Sequence, residues 1–415
     1  MFQRKLLIDK KNSGLLLIFG ILTISTVMEQ IFEDTATAFS LKSDSELERA
    51  YFLFKMIANE PLVRIGTAVT NFAINAHLPV EGLIRATVFD HFCGGVNEED
   101  CLPMIDKMHQ KGVSSILDYS VEGKEIENQF DSALTKILGV LDFVKEKEAI
   151  PFAVFKPTAF GRFGLLEKKS EGEALTKAEQ EEWERIVNRY NQVCKKAYDL
   201  DVCLLIDAEE SWIQDAADDL CLTMMRQYNK ERAIVFNTAQ LYRWDRLAFL
   251  KDLEIVASAE GFKVGIKAVR GAYMEKENNR ADEMGYQSPI CVSKKATDDN
   301  FDAGITFMMD HLDTFSIFSG THNEESSYKL LNMLNDRELN HHDNRIWFGQ
   351  LFGMSDHVSF NLAEHGYNVA KYLPYGPVRD VMPYLIRRAE ENTSVAGQTT
   401  RELNLLKKER KRRKL

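Results

Sequence analysis

An arginine pair near the end of the chain has the clearest potential for chemistry. Arg387 and Arg388 lie in a stretch predicted to be a helix over 378–392. Helical geometry places Tyr384 and Glu391 three and four residues away, on roughly the same side. Adjacent guanidinium groups can fork onto a carboxylate or phosphate while the glutamate orients one of them. The residues alone leave open an ordinary solvated basic helix face.

The elements that would position this helix are short apolar runs that alternate with longer amphipathic segments. Eight such runs follow Lys111, and each predicts a β-strand. They cover 113–118, 152–155, 202–206, 234–236, 264–269, 315–318, 346–350 and 369–373, and a turn over 374–377 joins the last of them to the arginine helix. Eight β-then-α units predict a closed parallel (β/α)8 barrel, a TIM-like α/β fold.

Polar side chains follow nearly every predicted strand, at the barrel face where function concentrates in this fold. They are Asp118, Lys156, Asp207 with Glu209, Asn237 with Gln240, Arg270 with Tyr273, Thr321 with His322 and Asn323, Gln350, and Tyr372. Any one of them is a weak signal. Together they predict a single functional rim.

Two kinds of enzyme site are compatible with this rim. A metal hydrolase needs several convergent His, Asp or Glu ligands, whereas His322 is the only histidine within a few residues of a predicted strand end. A flavin or another anionic cofactor needs cationic and amide donors. That mixture is provided by Lys267, Arg270, Gly271, Thr321 and His322. No G-x-G-x-x-G follows a strand, which disfavours a Rossmann mode. A non-enzymatic, anion-binding scaffold is a third alternative.

Composition limits the class of protein further. The 415 residues are 45% hydrophobic and 28% charged, as in an ordinary globular protein. A net charge of -11 disfavours nucleic-acid binding by the main body. The six cysteines are scattered without a CxxC pair, so they predict reduced thiols in a cytosolic chain.

The two ends of the chain differ from the middle. Residues 1–27 combine four cations with an apolar centre, and a cleaved signal, a membrane-associating segment and a packed or artefactual extension all stay open. Residues 28–111 predict a helical arm, with Ser43 and Glu46 as a capping box. The barrel is placed at 112–398. The remaining 399–415 form a basic tail whose last nine residues carry seven cations; it is interpreted either as disordered and solvated or as attracted to an anionic membrane surface.

Several motifs resemble those of proline dehydrogenases, including the matching domain of bifunctional proline utilisation proteins. The closing pattern Y-x-P-x-G-x(7)-Y-L-x-R-R-x-x-E-N runs from Tyr372 to Asn392. FKPTAF, LLIDAEES, NTAQLY, KAVRGAY and GTHN follow the family order within 113–398. The resemblance implies FAD as cofactor and L-proline as substrate.

The resemblance also implies a role for individual residues. Asp207 and Lys267 would be catalytic, with Lys267 near flavin N5. The proline site would consist of Lys156, Tyr273, Tyr372, Tyr384, Arg387 and Arg388. The cofactor site would consist of Ala208, Gln240, Lys267, Val269, Arg270, Gly271, Thr321, His322 and Glu391. Glu122 would pair with Arg387 as a gate.

The implied reaction is oxidation of L-proline to Δ1-pyrroline-5-carboxylate, with hydride transfer from C5 to flavin N5. A membrane quinone is the expected electron acceptor, which suits a cytoplasmic protein that associates peripherally with the inner face of a membrane. A separate pyrroline-5-carboxylate dehydrogenase is expected to carry out the next step.

Overall fold

The computed structural model describes residues 31–59, 61, 81–119, 125–394 and 398–415. The 1–27 extension lies outside these ranges. In the described part of the chain, no helix is both long and apolar enough to cross a bilayer.

Eight parallel strands form a closed barrel in chain order. They are β1 (Val113–Tyr119), β2 (Phe152–Phe155), β3 (Cys203–Ile206), β4 (Val235–Gln240), β5 (Val264–Val269), β6 (Phe315–Gly320), β7 (Ile346–Leu351) and β8 (Val369–Tyr375). Pairing of β1 with β8, from Val113 opposite Val369 to Tyr119 opposite Tyr375, closes the ring. The predicted (β/α)8 fold is confirmed.

Helices precede and surround the barrel. They are α1 (Thr35–Ala38), α2 (Asp44–Ile57), α3 (Glu81–Ile84), α4 (Asp90–Phe92), α5 (Glu98–His109), α6 (Glu127–Val144), α7 (Phe163–Ser170), α8 (Lys177–Asp199), α9 (Ser211–Tyr228), α10 (Arg246–Glu260), α11 (Met274–Met284), α12 (Lys294–Asp310), α13 (Glu324–Asp336), α14 (Asp356–Glu364), α15 (Met382–Ser394) and α16 (Gln398–Arg413). A π-helical turn, Arg85–Phe89, joins α3 to α4. The capping box of α2, formed by Ser43 and Glu46, is confirmed.

The end of β8 differs from the prediction. The strand continues through Pro374 and Tyr375 where a turn was expected, and α15 begins at Met382 rather than at residue 378. The reason lies far away in sequence. Pro374 and Tyr375 pair with the last two residues of β1, and in addition Gly94 N donates to Pro374 O at 2.9 Å and Gly95 bridges to Tyr375. The end of β1 and the α4–α5 loop therefore extend the strand beyond the apolar run.

Aromatic rings fill the barrel interior below its carboxyl-terminal mouth. Phe152 makes edge-to-face contacts with Phe236, Phe318 and Trp347, with ring centroids 5.9, 5.3 and 5.0 Å away. Space for Phe318 depends on Gly349, since a Cβ there would lie 2.1 Å from the ring. These rings form a water-excluding floor beneath the polar side chains of the mouth.

The C-terminal helix α16 packs on the N-terminal arm. Leu405 and Leu406 are buried against Phe39, Leu47 and Phe54. Ion pairs flank this contact: Lys408 with Glu33 at 3.0 Å, Arg410 with Glu48 at 2.6 Å and Arg413 with Asp44 at 3.1 Å. The interpretation of the basic tail as disordered is therefore wrong. Its hydrophobic partners come from residues more than 340 positions earlier, which local charge composition does not reveal.

Replacing Leu406 with alanine should lower the free energy of unfolding by about 2–5 kcal/mol, because the side chain leaves a cavity between α16 and the arm. Urea denaturation monitored by circular dichroism measures this change. Lys411→Ala, on the exposed side of the same helix, is the matched control and should unfold like the parent. Equal behaviour of the two variants would contradict the packing described for α16.

Candidate active site

A carboxylate between two lysines lies at the centre of the barrel mouth. Asp207 follows β3, Lys156 follows β2 and Lys267 belongs to β5. Lys156 Nζ donates to Asp207 Oδ2 at 2.9 Å, and Lys267 Nζ donates to Asp207 Oδ1. Three separate strands thus converge on one carboxyl group, as the predicted rim required.

Burial and charge act in opposite directions on this cluster. Burial alone would raise the pKa of Asp207, but the two ammonium groups outweigh it and lower that pKa to about 2. Burial lowers the pKa of Lys267, with Asp207 opposing the change, whereas Asp207 and Asp118 together outweigh burial and raise the pKa of Lys156. At neutral pH Lys156 and Asp207 form an ion pair, and Lys267 is the lysine that releases its proton more readily.

Tyr372 of β8 connects the charged cluster to the aromatic floor. Lys267 Nζ donates to the Tyr372 hydroxyl at 3.0 Å and lies 4.9 Å from the centre of its ring. The ring itself contacts Phe318 edge-on at 6.1 Å. An aromatic ring and a cation therefore lie side by side in the mouth, an arrangement that suits a small ring bearing a carboxylate.

The arginine helix α15 packs beside the end of β7. Tyr384 is buried with Met354 and Leu385, and the Arg388 guanidinium lies 5.0 Å from the centre of the Tyr384 ring. On the rim, burial raises the pKa of Tyr273, and the charges of Lys156 and Arg387 act on the same hydroxyl. Tyr273 thus lies within electrostatic reach of both the lysine cluster and the arginine pair.

A second polar cluster surrounds Arg270 at the end of β5. Its guanidinium donates to Asp298 Oδ1 at 2.7 Å, to Thr321 Oγ1 at 2.9 Å and to Ser326 Oγ at 3.1 Å. Asp298 of α12 was missed by sequence reasoning, because nothing local marks an acid on an exposed-looking helix as the partner of a rim arginine. The cluster fixes a cation where an anionic group could bind.

The neighbouring edge of β4 and β5 combines a closely packed glycine with an unmet hydrogen-bonding group. Gln240 pairs with Val269 across the sheet, and its Nε2 donates to Glu209 O at 2.9 Å. Among the described residues, its buried Oε1 has no hydrogen-bond partner. Gly271 has φ +137°, and a Cβ there would lie 2.5 Å from the Tyr242 ring. An N–H of a planar heterocycle would satisfy Gln240, so these residues fit a flavin.

The predicted site residues thus form neighbouring groups. Asp207, Lys156, Lys267 and Tyr372 are in direct contact, Arg270 contacts Thr321, and Arg388 contacts Tyr384. Ala208 precedes Glu209, whose carbonyl oxygen accepts a hydrogen bond from Gln240. His322 is hydrogen-bonded to Ser355 at 2.9 Å. Glu122 and the side chain of Glu391 lie outside what the structure describes. Within the described ranges, no group of three or more His, Cys, Asp or Glu side chains could bind a metal ion.

A charged mouth at the carboxyl ends of eight parallel strands defines a (β/α)8-barrel enzyme. The family model for proline dehydrogenase matches residues 101–401. The chain therefore belongs to the proline dehydrogenase family, a flavoenzyme family, and is an oxidoreductase. This assignment confirms the resemblance of the motifs and decides against the hydrolase and scaffold alternatives.

Two individual relatives match most of this chain. Carbapenem antibiotics biosynthesis protein CarD of Pectobacterium carotovorum subsp. carotovorum is 34% identical over 333 residues, which cover 80% of this chain and 86% of that protein. Mitochondrial proline dehydrogenase 1 of Arabidopsis thaliana is 30% identical over 427 residues, which cover 92% of this chain and 86% of that protein.

The barrel also resembles a solved structure. Proline utilization A from Bdellovibrio bacteriovorus, inactivated by N-propargylglycine, superposes with a TM-score of 0.74 at 16% identity. The match covers 92% of this chain but 44% of that larger protein. At this identity the likeness concerns the fold.

Glu209, next to the cluster, should make stability depend on pH. Burial raises its pKa to about 7 from 4.5, although Thr158 N and Oγ1 donate to the carboxylate at 3.0 and 2.7 Å. The native state then binds more protons than the unfolded chain between these values, so stability falls by up to about 3 kcal/mol as pH rises from 4.5 to 7.

Glu209→Gln should remove this loss, because the amide oxygen still accepts from Thr158 and carries no charge. Its unfolding free energy relative to the parent should therefore increase between pH 5 and 8, as urea titrations at several pH values would show. Glu283→Gln, on the exposed side of α11, should follow the parent at every pH. Parallel curves for all three proteins would contradict the raised pKa.

Proposed function

We propose that this protein oxidises L-proline to Δ1-pyrroline-5-carboxylate with FAD as cofactor. The observation that carries the proposal is the Lys156–Asp207–Lys267 cluster, in contact with Tyr372 and within electrostatic reach of the arginine helix, in a chain of the proline dehydrogenase family. When bound, FAD would supply, at flavin N5, the acceptor for a hydride from C5 of proline.

Substrate orientation is the task of the cationic and aromatic side chains. Arg387 and Arg388, with Lys156, bind the proline carboxylate; Tyr273, Tyr372 and Tyr384 enclose the pyrrolidine ring. Asp207 sets the position of both lysine ammonium groups. Lys267 adds positive charge beside the electron-rich reduced cofactor, and its lowered pKa makes it a place where a proton can be held or released.

The cofactor would be bound along the β3–β6 side of the mouth. Ala208 and Gln240 would contact the flavin ring system, Val269 and Gly271 would allow close backbone approach, and Arg270, Thr321 and His322 would bind its polar groups. Glu391 would complete this set. The fixed guanidinium of Arg270 and the Gln240 oxygen, which has no hydrogen-bond partner among the described residues, support this proposal.

The proposed reaction is tested by its product. Protein loaded with FAD, L-proline and an artificial electron acceptor should form Δ1-pyrroline-5-carboxylate, which o-aminobenzaldehyde traps as a coloured adduct. The same protein without FAD is the control. Acceptor reduction without the trapped product would indicate another substrate position or another substrate.

The arginine clamp makes a separate prediction. Arg388→Lys replaces a forked donor with a point charge, so KM for L-proline should rise by about 10- to 100-fold, the value of a charge-assisted hydrogen bond of about 1.5–3 kcal/mol. Arg49→Lys, the same exchange on the exposed side of α2, is the matched control.

Pyrrolidine, which lacks the carboxylate, is the control substrate that shows whether the change in KM reports on the contact between Arg388 and the proline carboxylate. It should be a poor substrate of the parent protein, and Arg388→Lys should affect it much less than it affects proline. A KM for proline within twofold of the parent would contradict the clamp.

Electrons are proposed to pass to a membrane quinone. Lys407 and Lys411 are exposed on one side of α16, and Lys414 is exposed just after its end. By contrast, Lys408, Arg410 and Arg413 bind acidic residues of the arm. The three exposed lysines would attract an anionic lipid surface by about 1 kcal/mol each. A peripheral location at the inner face of a membrane follows, and the product passes to a separate pyrroline-5-carboxylate dehydrogenase.

Changing these three lysines to glutamine should weaken binding to anionic vesicles at low salt, because screening and charge removal act on the same attraction. Sedimentation with vesicles measures it. Removing the whole tail is a poorer test, since it also deletes Leu405 and Leu406 from the arm. Binding by the triple variant equal to that of the parent would overturn the membrane proposal.

A further inference from the structure

Ser355, the residue before α14, combines an uncommon backbone with two long-range contacts. Its φ of +50° and ψ of 41° are left-handed values that a residue with a Cβ adopts at a cost of about 1–3 kcal/mol. Such a conformation persists only where the surroundings impose it. Here the constraint comes from α16, where Glu402 Oε1 accepts a hydrogen bond from Ser355 N at 2.5 Å.

The Glu402 carboxylate is well placed for this contact. It is 3% exposed and lies at the N-terminal end of α14, where the helix dipole favours negative charge. Burial raises its pKa, while the nearby His357 and Lys371 oppose that change. Glu402 therefore belongs to the packed interior between α16 and the barrel.

The hydroxyl of Ser355 points to a residue of the proposed cofactor site. Ser355 Oγ lies 2.9 Å from His322 Nδ1, and in the described part of the chain this is the hydrogen bond that the imidazole makes. Burial, together with the charges of Lys371 and Arg388, lowers the pKa of His322 to about 3. A neutral imidazole carries one proton, and a Ser355 hydroxyl that donates to Nδ1 would place this proton on Nε2.

Residues on either side of Ser355 support Thr321, the residue that precedes His322. Gln350 Nε2 donates to Thr321 O at 3.2 Å, and Ser359 Oγ donates to Gln350 Oε1 at 2.8 Å. The segment from β7 into α14 thus positions both Thr321 and His322 from behind. Both were predicted to bind the cofactor, yet neither is supported by its own strand alone.

We propose that Ser355, held by Glu402, is a positioning residue. Its hydroxyl donates a hydrogen bond to His322 Nδ1, so that His322 carries its proton on Nε2 and presents an N–H donor to FAD. The inference rests on the proposed function. It assigns the C-terminal helix α16 a part in cofactor binding. The buried carboxylate of Glu402 holds Ser355 in its strained conformation, and Ser355 sets the tautomer of His322. An anionic or carbonyl acceptor on the cofactor requires this tautomer, because the alternative one would present a lone pair.

Ser355→Gly tests the inference without the ambiguity of misfolding. Glycine adopts φ +50° without strain, so thermal stability should stay equal or rise while the hydroxyl is lost. The dissociation constant for FAD, measured by adding FAD to the cofactor-free protein, should increase about tenfold, which is the effect of one hydrogen bond. KM for L-proline at saturating FAD should stay within twofold of the parent, since the carboxylate clamp is separate.

The histidine tautomer provides a readout that needs no cofactor. In 15N-histidine-labelled protein, His322 is assigned among nine histidines by comparison with His322→Gln. The parent should show the Nε2–H form, and Ser355→Gly a mixture. Glu402→Gln keeps an oxygen acceptor for Ser355 N and should resemble the parent in FAD affinity and tautomer, whereas Glu402→Ala should resemble Ser355→Gly.

Unchanged FAD affinity in Ser355→Gly, or an unchanged His322 tautomer, would overturn the inference. A parent protein that fails to bind FAD would instead overturn the proposed function, and the NMR measurement would still decide whether Ser355 sets the tautomer.

Discussion

One carboxylate shared by two buried ammonium groups is the interaction on which the site depends. Without Asp207, Lys156 and Lys267 would be two like charges in a mouth closed below by aromatic rings, and an uncompensated buried charge costs about 3–5 kcal/mol. With it, the barrel can keep positive charge in a place from which water is largely excluded. In the proposed function, Arg387 and Arg388 add further positive charge to this mouth and so favour an anionic substrate.

Elements outside the barrel brace its rim. Asp356 at the start of α14 pairs with Lys371 of β8 at 2.9 Å and with Lys42 of the arm at 3.0 Å. Arg401 of α16 joins Glu324 at 2.7 Å and Glu33 at 2.6 Å. The segments before and after the barrel thus meet behind β6, β7 and β8, the side on which His322 and the arginine helix lie. Their role is to fix rim residues that the strands position only in part.

Sequence reasoning succeeded where local pattern and fold geometry agree. Apolar runs of strand length, separated by amphipathic segments, predicted the closed barrel, and the carboxyl ends of the strands predicted that Lys156, Asp207 and Tyr372 would meet. It failed where distant segments decide. The docking of Gly94 onto Pro374 extended β8, and burial of Leu405 and Leu406 ordered a tail whose charge suggested disorder. No local sequence pattern marks Asp298, Ser355 and Glu402, because each of them matters through a contact with a residue that is distant in sequence.

We propose that L-proline reduces a flavin bound at this mouth. The visible absorbance spectrum of the FAD-loaded protein, recorded before and after anaerobic addition of L-proline, tests this proposal. We expect a flavin band that disappears with L-proline and persists with pyrrolidine at the same concentration. A flavin band that L-proline leaves unchanged, or a protein that cannot be loaded with FAD, would contradict it.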